Sequence, residues 1–132
     1  MEVIIFKGFW TVEDVRKMPN YLFIFGDNDI KKGKGGQAII RDEPNTAGIP
    51  TKKVPNNLPS AFYTDDEYEA NIAKIDKSLE AIIASVKEEK YKGIVLPEKG
   101  FGTGLAKLAT KAPKTLQYIK EKIEMLKSTK LD

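Results

Sequence analysis

The chain has 132 residues, of which 41% are hydrophobic and 31% are charged, and its formal net charge is +3. This composition is typical of one globular domain, and we expect residues 1–132 to form it. The sequence contains neither cysteine nor histidine, which excludes disulfides, zinc–thiolate sites and catalysis by Cys–His or Ser–His pairs.

We predict neither a metal site nor a cofactor. No apolar run is long enough to span a bilayer, and the N-terminus lacks the pattern of a signal peptide. The expected protein is therefore cytoplasmic and has no membrane partner.

Five short segments predict the strands. They lie at residues 3–6, 21–25, 49–54, 61–63 and 93–97. The run at 21–25 is apolar throughout, as in a strand that is covered on both faces, and Gly26 is expected to end it. The run at 49–54 contains Pro50, which is tolerated on an edge strand.

Three segments predict helices. Thr11 is placed to cap a short helix that reaches Met18. Thr64 and Glu67 have the spacing of a capping box at the start of a long helix. Its apolar residues recur every three or four positions and form one stripe, which consists of Tyr68, Ile72, Ile75, Leu79, Ile82 and Val86. The long helix is expected to end at Lys90.

The last helix is expected to start near Pro113, because proline suits the first helical turn. Its apolar stripe is Leu116, Ile119, Ile123 and Leu126. Strands that alternate with helices predict an α/β fold, namely a three-layer α/β/α domain whose central sheet is mostly parallel or mixed. The pattern leaves the role of Trp10 open.

Two glycine clusters follow apolar strands and precede helices. The first contains Gly33, Gly35, Gly36, Gln37 and Ala38, and the second contains Phe101, Gly102, Thr103, Gly104 and Leu105. Ligands of open α/β sheets bind at the carboxyl ends of the strands, and exposed backbone amides attract anions there. Two facing loops suit a diphosphate, although each cluster by itself also fits a simple turn.

Polar residues stand beside these loops. Asp27 and Asn28 end the second strand and are suited to bind ribose hydroxyls or to orient a water, although both residue types also favour turns. Lys52 is suited to pair with phosphate, or to act as a nucleophile if it is desolvated; a solvated lysine is the alternative. Phe101 lies between glycines, which favours its exposure to a ligand.

The segment at 25–38 resembles the first ligand loop of macrodomains, where a strand that ends in polar residues leads to a glycine-rich turn. The segment at 94–105 resembles their second loop, where a strand that ends in proline leads to a Gly-x-Gly diphosphate loop. The order of elements is similar from residue 21 to residue 127. The resemblance implies a macrodomain-like fold that holds ADP-ribose, or a related nucleotide, at the carboxyl edge of the sheet.

The resemblance also assigns roles to residues. It implies that Gly35, Gly36 and Ala38 lie by the proximal phosphate and ribose, that Gly102, Thr103 and Gly104 lie by the diphosphate, and that Asn28 faces the distal ribose. The Thr51-Lys52 pair is similar to the Thr-Lys of the macrodomain subgroup that removes ADP-ribose from glutamate through a catalytic lysine. The chain departs from that subgroup at Leu105-Ala106, where the catalytic aspartate would stand, and at Gly8-Phe9, where a Gly-Asp often contacts adenine.

Three functions follow as hypotheses. The first is a module that reads or sequesters an ADP-ribose-like nucleotide, either free or on an ADP-ribosylated macromolecule. The second is an ADP-ribosyl glycohydrolase, in which Lys52 is the nucleophile or an electrostatic aid and Asp27 or Asn28 orients water. The third is a basic nucleic-acid-binding protein, although the segment from Gly26 to Lys53 carries only six basic residues against four acidic ones.

Overall fold

Four strands form one parallel sheet in the computed structural model, which describes residues 1–89 and 91–129. They are β1 (Glu2–Phe6), β2 (Tyr21–Asn28), β3 (Thr46–Lys52) and β4 (Gly93–Pro97), in the order β1-β4-β2-β3. This sheet and its helices confirm the predicted α/β class. Because all four strands run the same way, their carboxyl ends meet at one edge.

Helices cover both faces of the sheet. The α-helices are α1 (Val12–Arg16), α2 (Tyr68–Glu89), α3 (Leu108–Lys111) and α4 (Pro113–Lys127), and three short 3₁₀ helices lie at Gly36–Ile40, Pro59–Ala61 and Asp65–Glu67. Buried residues of α2, α3 and α4 form one core with the sheet. Residues of α1 and of the first 3₁₀ helix form the other.

Strand β2 is covered on both sides, which explains its unbroken apolar sequence. Leu22 and Ile24 belong to the core under α2 and α4, whereas Phe23 and Phe25 belong to the core under α1. Successive side chains of a strand point to opposite faces, so a strand that is buried on both faces needs apolar residues at every position.

Trp10 is a core residue. Its indole ring is 5% exposed and lies edge-to-face against Phe6 and Phe23, with ring centroids 5.8 and 5.6 Å away. Such pairs stabilise a core beyond the area that they bury. The indole N–H is buried as well and donates to the main-chain oxygen of Gln37 at 3.0 Å.

Two strand predictions need correction. Strand β2 continues past Gly26 to Asn28, because its last residues pair with β3 across a bulge at Asp27. Residues 61–63 do not form a strand. Ala61 ends the 3₁₀ helix Pro59–Ala61, and Phe62 makes a single antiparallel bridge to Lys52.

The capping box predicted at the start of the long helix is also wrong. A 3₁₀ turn comes first, α2 begins at Tyr68, and the Thr64 side chain makes no cap bond. The Glu67 carboxylate instead pairs with Lys53 at 2.5 Å. The apolar stripes of α2 and α4 are on the buried side as predicted, with Ile72, Ile123 and Tyr68 only half-buried. Lys90 and residues 130–132 of the predicted domain lie outside the described residues.

No helix within residues 1–89 and 91–129 combines the length and the hydrophobicity that a membrane crossing requires.

The N-terminus of α4 is capped by Asp65, a residue from a distant turn. Its carboxylate accepts hydrogen bonds from the main-chain N–H groups of Lys114 and Thr115 at 3.0 and 3.1 Å. We predict that Asp65→Ala lowers the free energy of unfolding by about 1 kcal/mol, because the first turn of α4 loses its cap. Urea denaturation measures this change. Asp66→Ala, at the exposed neighbouring position, is the control, and an equal loss in both variants would contradict the capping role.

Candidate functional site

The two glycine loops meet at the carboxyl edge of the sheet. The first loop (residues 33–38) follows β2, and the second loop (residues 101–105) follows β4, which is the neighbour of β2. A methyl group on Gly35 would lie 3.3 Å from Leu105 Cδ1, so the loops are in contact range. A methyl group on Gly33 would lie 3.2 Å from Pro55 Cβ. The connection that follows β3 therefore reaches the same place.

Gln37 fastens the first loop to its surroundings. Its side-chain oxygen accepts from the Gly26 N–H at 2.7 Å, and its side-chain nitrogen donates to the Gly100 oxygen at 2.8 Å. Both ends of the carboxamide are thus used in internal hydrogen bonds, which gives the side chain a positioning role; the predicted ligand contact of Gln37 stays a prediction. Gln37 holds the first loop, the end of β2 and the start of the second loop at fixed distances.

Both loops carry main-chain N–H groups that are available to a ligand. In the first loop the amides of Gly35, Gly36 and Gln37 have no acceptor among the described residues. In the second loop the same holds for the amides of Thr103 and Gly104 in the described part of the chain. Successive free amides of this kind form a concave site for an anion. The two glycine clusters predicted donors of this kind, and their binding of an anion stays a prediction.

The glycines of the two loops differ in whether the structure permits a side chain at their positions. Gly36 and Gly102 have φ angles of +57° and +75°, a conformation that favours glycine. A methyl group on Gly102 would also lie 2.2 Å from Leu108 Cδ1, so this position is fixed by the fold. Gly104 has open space around it and no positive φ. A side chain is therefore tolerated at Gly104, next to the free amides of Thr103 and of Gly104 itself.

Three residues predicted to contact a ligand are engaged or buried instead. Phe101 is only 3% exposed and belongs to the core, so its predicted exposure is wrong. The Thr103 hydroxyl donates to the Lys99 oxygen at 2.9 Å. Ala38 is buried, and its N–H donates to the Gly35 oxygen. Leu105, by contrast, is 60% exposed beside the first loop.

The polar residues at the end of β2 are held by internal bonds. The Asp27 carboxylate pairs with Arg41 at 2.6 Å, and both side chains are largely buried. The Asn28 side chain donates to the Lys32 oxygen at 2.7 Å and accepts from the Lys32 N–H at 3.3 Å. The Thr51 hydroxyl donates to the main-chain oxygen of Asp27 at 3.1 Å. The predicted roles in ribose binding or water orientation would require these bonds to open.

Lys52 ends β3 and is 7% exposed. Its ammonium group lies 4.8 Å from the centroid of the Phe62 ring, and within residues 1–89 and 91–129 it has no carboxylate at ion-pair distance. Burial lowers the pKa of Lys52, and the charge of Lys107 lowers it further. A lysine of this kind gives up its proton more readily than a solvated one, as a nucleophilic amine must.

Sequence reasoning missed two lysines beside Lys52. The ammonium groups of Lys107 and Lys111 lie 5.8 and 5.1 Å from the centroid of the Phe62 ring. The signal in the sequence was their place directly after the second glycine loop, four positions apart. Phe62 was assigned to the core; it is buried, but its ring also supports these lysines.

A cavity of 340 Å³ opens beside the second loop, between β1 and α4. Its apolar wall includes Ile5, Ile119 and Ile123, and Gly100 and Thr103 lie on the side of the loop. A larger cavity of 610 Å³ lies between β3 and α2 and is lined by neither glycine loop. The described residues contain no group of three or more acidic side chains arranged to hold a metal ion.

The first prediction for the site concerns Gln37. Gln37→Ala leaves the Gly26 N–H and the Gly100 oxygen without their partner, so we expect the free energy of unfolding to fall by about 1–3 kcal/mol. Gln117→Ala is the matched control, because Gln117 is exposed and bonds only to Glu121 among described side chains. Chemical denaturation of both variants measures the difference, and equal stabilities would refute the positioning role.

The second prediction concerns the charge of Lys52. Its pKa is lower in the folded chain than in the unfolded one, so at pH 7 its charge opposes folding. We expect Lys52→Met to raise the free energy of unfolding at pH 7 by about 1 kcal/mol. The gain should shrink as the pH rises through the lowered pKa, because the wild-type lysine then becomes neutral. Lys77→Met on the surface of α2 is the control, and a less stable Lys52→Met variant would contradict the account.

Comparisons with known proteins give one match. The sequence profile of a family of unknown function, DUF7831, matches residues 5–122. The matched region includes both glycine loops, Gln37 and Lys52. Curated proteins and solved structures gave no match. The chain therefore belongs to the DUF7831 family, whose function is unknown.

Proposed function

We propose that this protein is a nucleotide-binding module that holds ADP-ribose, or a related nucleotide with a diphosphate, across its two glycine loops. The observation that carries the proposal is the convergence of the loops. They follow neighbouring strands, Gln37 joins them, and each has main-chain N–H groups with no acceptor in the described residues. The macrodomain resemblance of the two segments points to the same class of ligand.

A diphosphate suits two loops better than a single phosphate does. Each of its two phosphate groups needs several hydrogen-bond donors, and amides that are already fixed in place bind an anion without a further cost of ordering. Neighbouring strands of a sheet are about 4.8 Å apart, so the loops that follow them are close enough to contact one ligand. The buried charge of Lys52 adds to the attraction for an anion.

The rest of a nucleotide also finds room at this edge. The 340 Å³ cavity lies beside the second loop, and its apolar wall of Ile5, Ile119 and Ile123 is suited to a base or a sugar face. Pockets for small ligands commonly measure about 300–1,000 Å³. A ligand that runs from this cavity across the second loop to the first would have the length of ADP-ribose rather than of a single phosphate.

The test is a binding measurement on a variant that keeps the fold. Gly104→Val adds a side chain in the open space next to the free amides of the second loop. We therefore expect normal stability but at least about ten-fold weaker ADP-ribose binding, a loss of roughly 1.4 kcal/mol. Isothermal titration calorimetry measures both proteins. Ala84→Val on the exposed face of α2 adds the same side-chain bulk and is the control.

The same titration distinguishes the competing functions. If wild-type protein binds no ADP-ribose, or if Gly104→Val binds it as well as wild type, the glycine-loop proposal is wrong. If only single-stranded DNA binds, and its affinity falls steeply with salt, the basic nucleic-acid-binding hypothesis is the better one.

Hydrolysis of an ADP-ribose linkage is a second candidate function. The buried Lys52 favours it, because burial lowers the pKa of its amine and a nucleophilic amine must lose its proton. An ADP-ribosylated protein or nucleic acid should then release ADP-ribose, and Lys52→Ala should abolish the release. Absence of release from both substrates by wild-type protein would remove this candidate and leave the binding module.

A further inference from the structure

Three lysine side chains surround one aromatic ring next to the second glycine loop. The ammonium groups of Lys52, Lys111 and Lys107 lie over the Phe62 ring, 4.8, 5.1 and 5.8 Å from its centroid. They come from two distant parts of the chain: Lys52 ends β3, Lys107 directly precedes α3, and Lys111 ends α3. We call these three residues the lysine cluster.

Attraction to the ring does not by itself explain the cluster. An aromatic ring attracts a cation on either of its two faces, so three ammonium groups over one ring place at least two on the same face. Like charges at such distances repel each other, and the charge of Lys107 does act on Lys52. Within the described residues no carboxylate forms an ion pair with any member of the cluster.

The acidic residues nearby have other partners. Glu67 pairs with Lys53, Asp29 pairs with Lys74, and Asp65 caps α4. Within the described residues, no carboxylate therefore offsets the repulsion within the cluster. Lys52 is 7% exposed, too buried for water alone to solvate it fully.

We propose that the lysine cluster is a binding subsite for a phosphate dianion. Three ammonium groups provide up to nine N–H donors and three positive charges, which suits a tetrahedral group with two negative charges better than a planar carboxylate with one. The shared chemistry is a terminal phosphate, either free or on a sugar. The subsite involves side chains and not the loop amides, and Lys107 and Lys111 have no part in the proposed diphosphate site.

The main-chain conformation and hydrogen bonds of Lys107 indicate that this residue is held in a fixed position. Lys107 has a φ angle of +49°, an uncommon conformation for a residue with a side chain. Its N–H donates to the Gly104 oxygen, and its own oxygen accepts from the Thr110 and Lys111 N–H groups. The bonds to Lys107 thus tie it to the second loop and to α3, in a conformation that the surrounding structure must stabilise.

The experiment is a titration with inorganic phosphate, followed by calorimetry or by shifts of the amide signals in NMR. Lys107→Gln/Lys111→Gln removes two of the three charges, and we expect phosphate affinity to fall at least roughly ten-fold. The double variant Lys77→Gln/Lys122→Gln has the same net charge as the cluster variant and is the control. Lys122 also lies over an aromatic ring, that of Tyr118, but no second lysine shares that ring among the described cation–ring pairs. Lys111→Gln alone provides a second, milder variant of an exposed residue.

Saturable phosphate binding that only the cluster variants weaken would support the subsite. Absence of saturable binding, or an equal loss in the control, would overturn it. Competition with ribose 5-phosphate identifies the source of the bound phosphate group. If ribose 5-phosphate occupies the subsite at a lower concentration than inorganic phosphate does, the ligand is a sugar phosphate. If the two occupy it at equal concentration, the ligand is the free ion. Gly104→Val should still bind inorganic phosphate, so failure of the subsite and failure of the diphosphate site are separate results.

Discussion

The carboxamide of Gln37 joins two parts of the site that are far apart in the chain. It accepts from Gly26 in β2 and donates to Gly100 after β4, while Trp10 donates to its main-chain oxygen from the core beneath. Without this bridge, two glycine-rich connections would have little to hold them at a fixed separation, because glycine has great conformational freedom in an unfolded or loose segment. The convergence of the loops, and hence the proposed ligand site, depends on it.

The charges at this edge of the sheet differ from those elsewhere on the chain. Most surface lysines cost nothing to hold in water, whereas burial of Lys52 without a carboxylate among the described residues opposes folding. Such a cost is commonly retained where it serves binding or catalysis. The free amides and the lysine cluster are the two features from which we propose anion binding at this edge.

Much of the fold could be predicted from local sequence. The strand at 21–25 and the apolar stripes of α2 and α4 were visible because burial imposes a regular pattern on consecutive residues. The strand predicted at 61–63 was wrong because pairing is decided by distant residues, here by Lys52. The capping box at Thr64 failed for a similar reason, since Glu67 meets Lys53, which the end of β3 brings near.

The site was predictable only in part. Glycine spacing after two strands indicated the loops, because the carboxyl ends of parallel strands share an edge. The sequence could not show that Gln37 is engaged on both sides or that Phe101 is turned into the core. It also could not reveal the lysine cluster, because Lys52 and Lys107 are 55 positions apart and only the tertiary structure brings them to Phe62.

The central claim is that both loops bind one ligand together. The most direct measurement is a titration of ¹⁵N-labelled protein with ADP-ribose, in which the amide signals of Gly35, Gly36, Thr103 and Gly104 are followed by NMR. The account predicts that the signals of both loops shift along one saturation curve with a single dissociation constant. Shifts confined to one loop, or signals of both loops that stay unchanged at saturation, would contradict it.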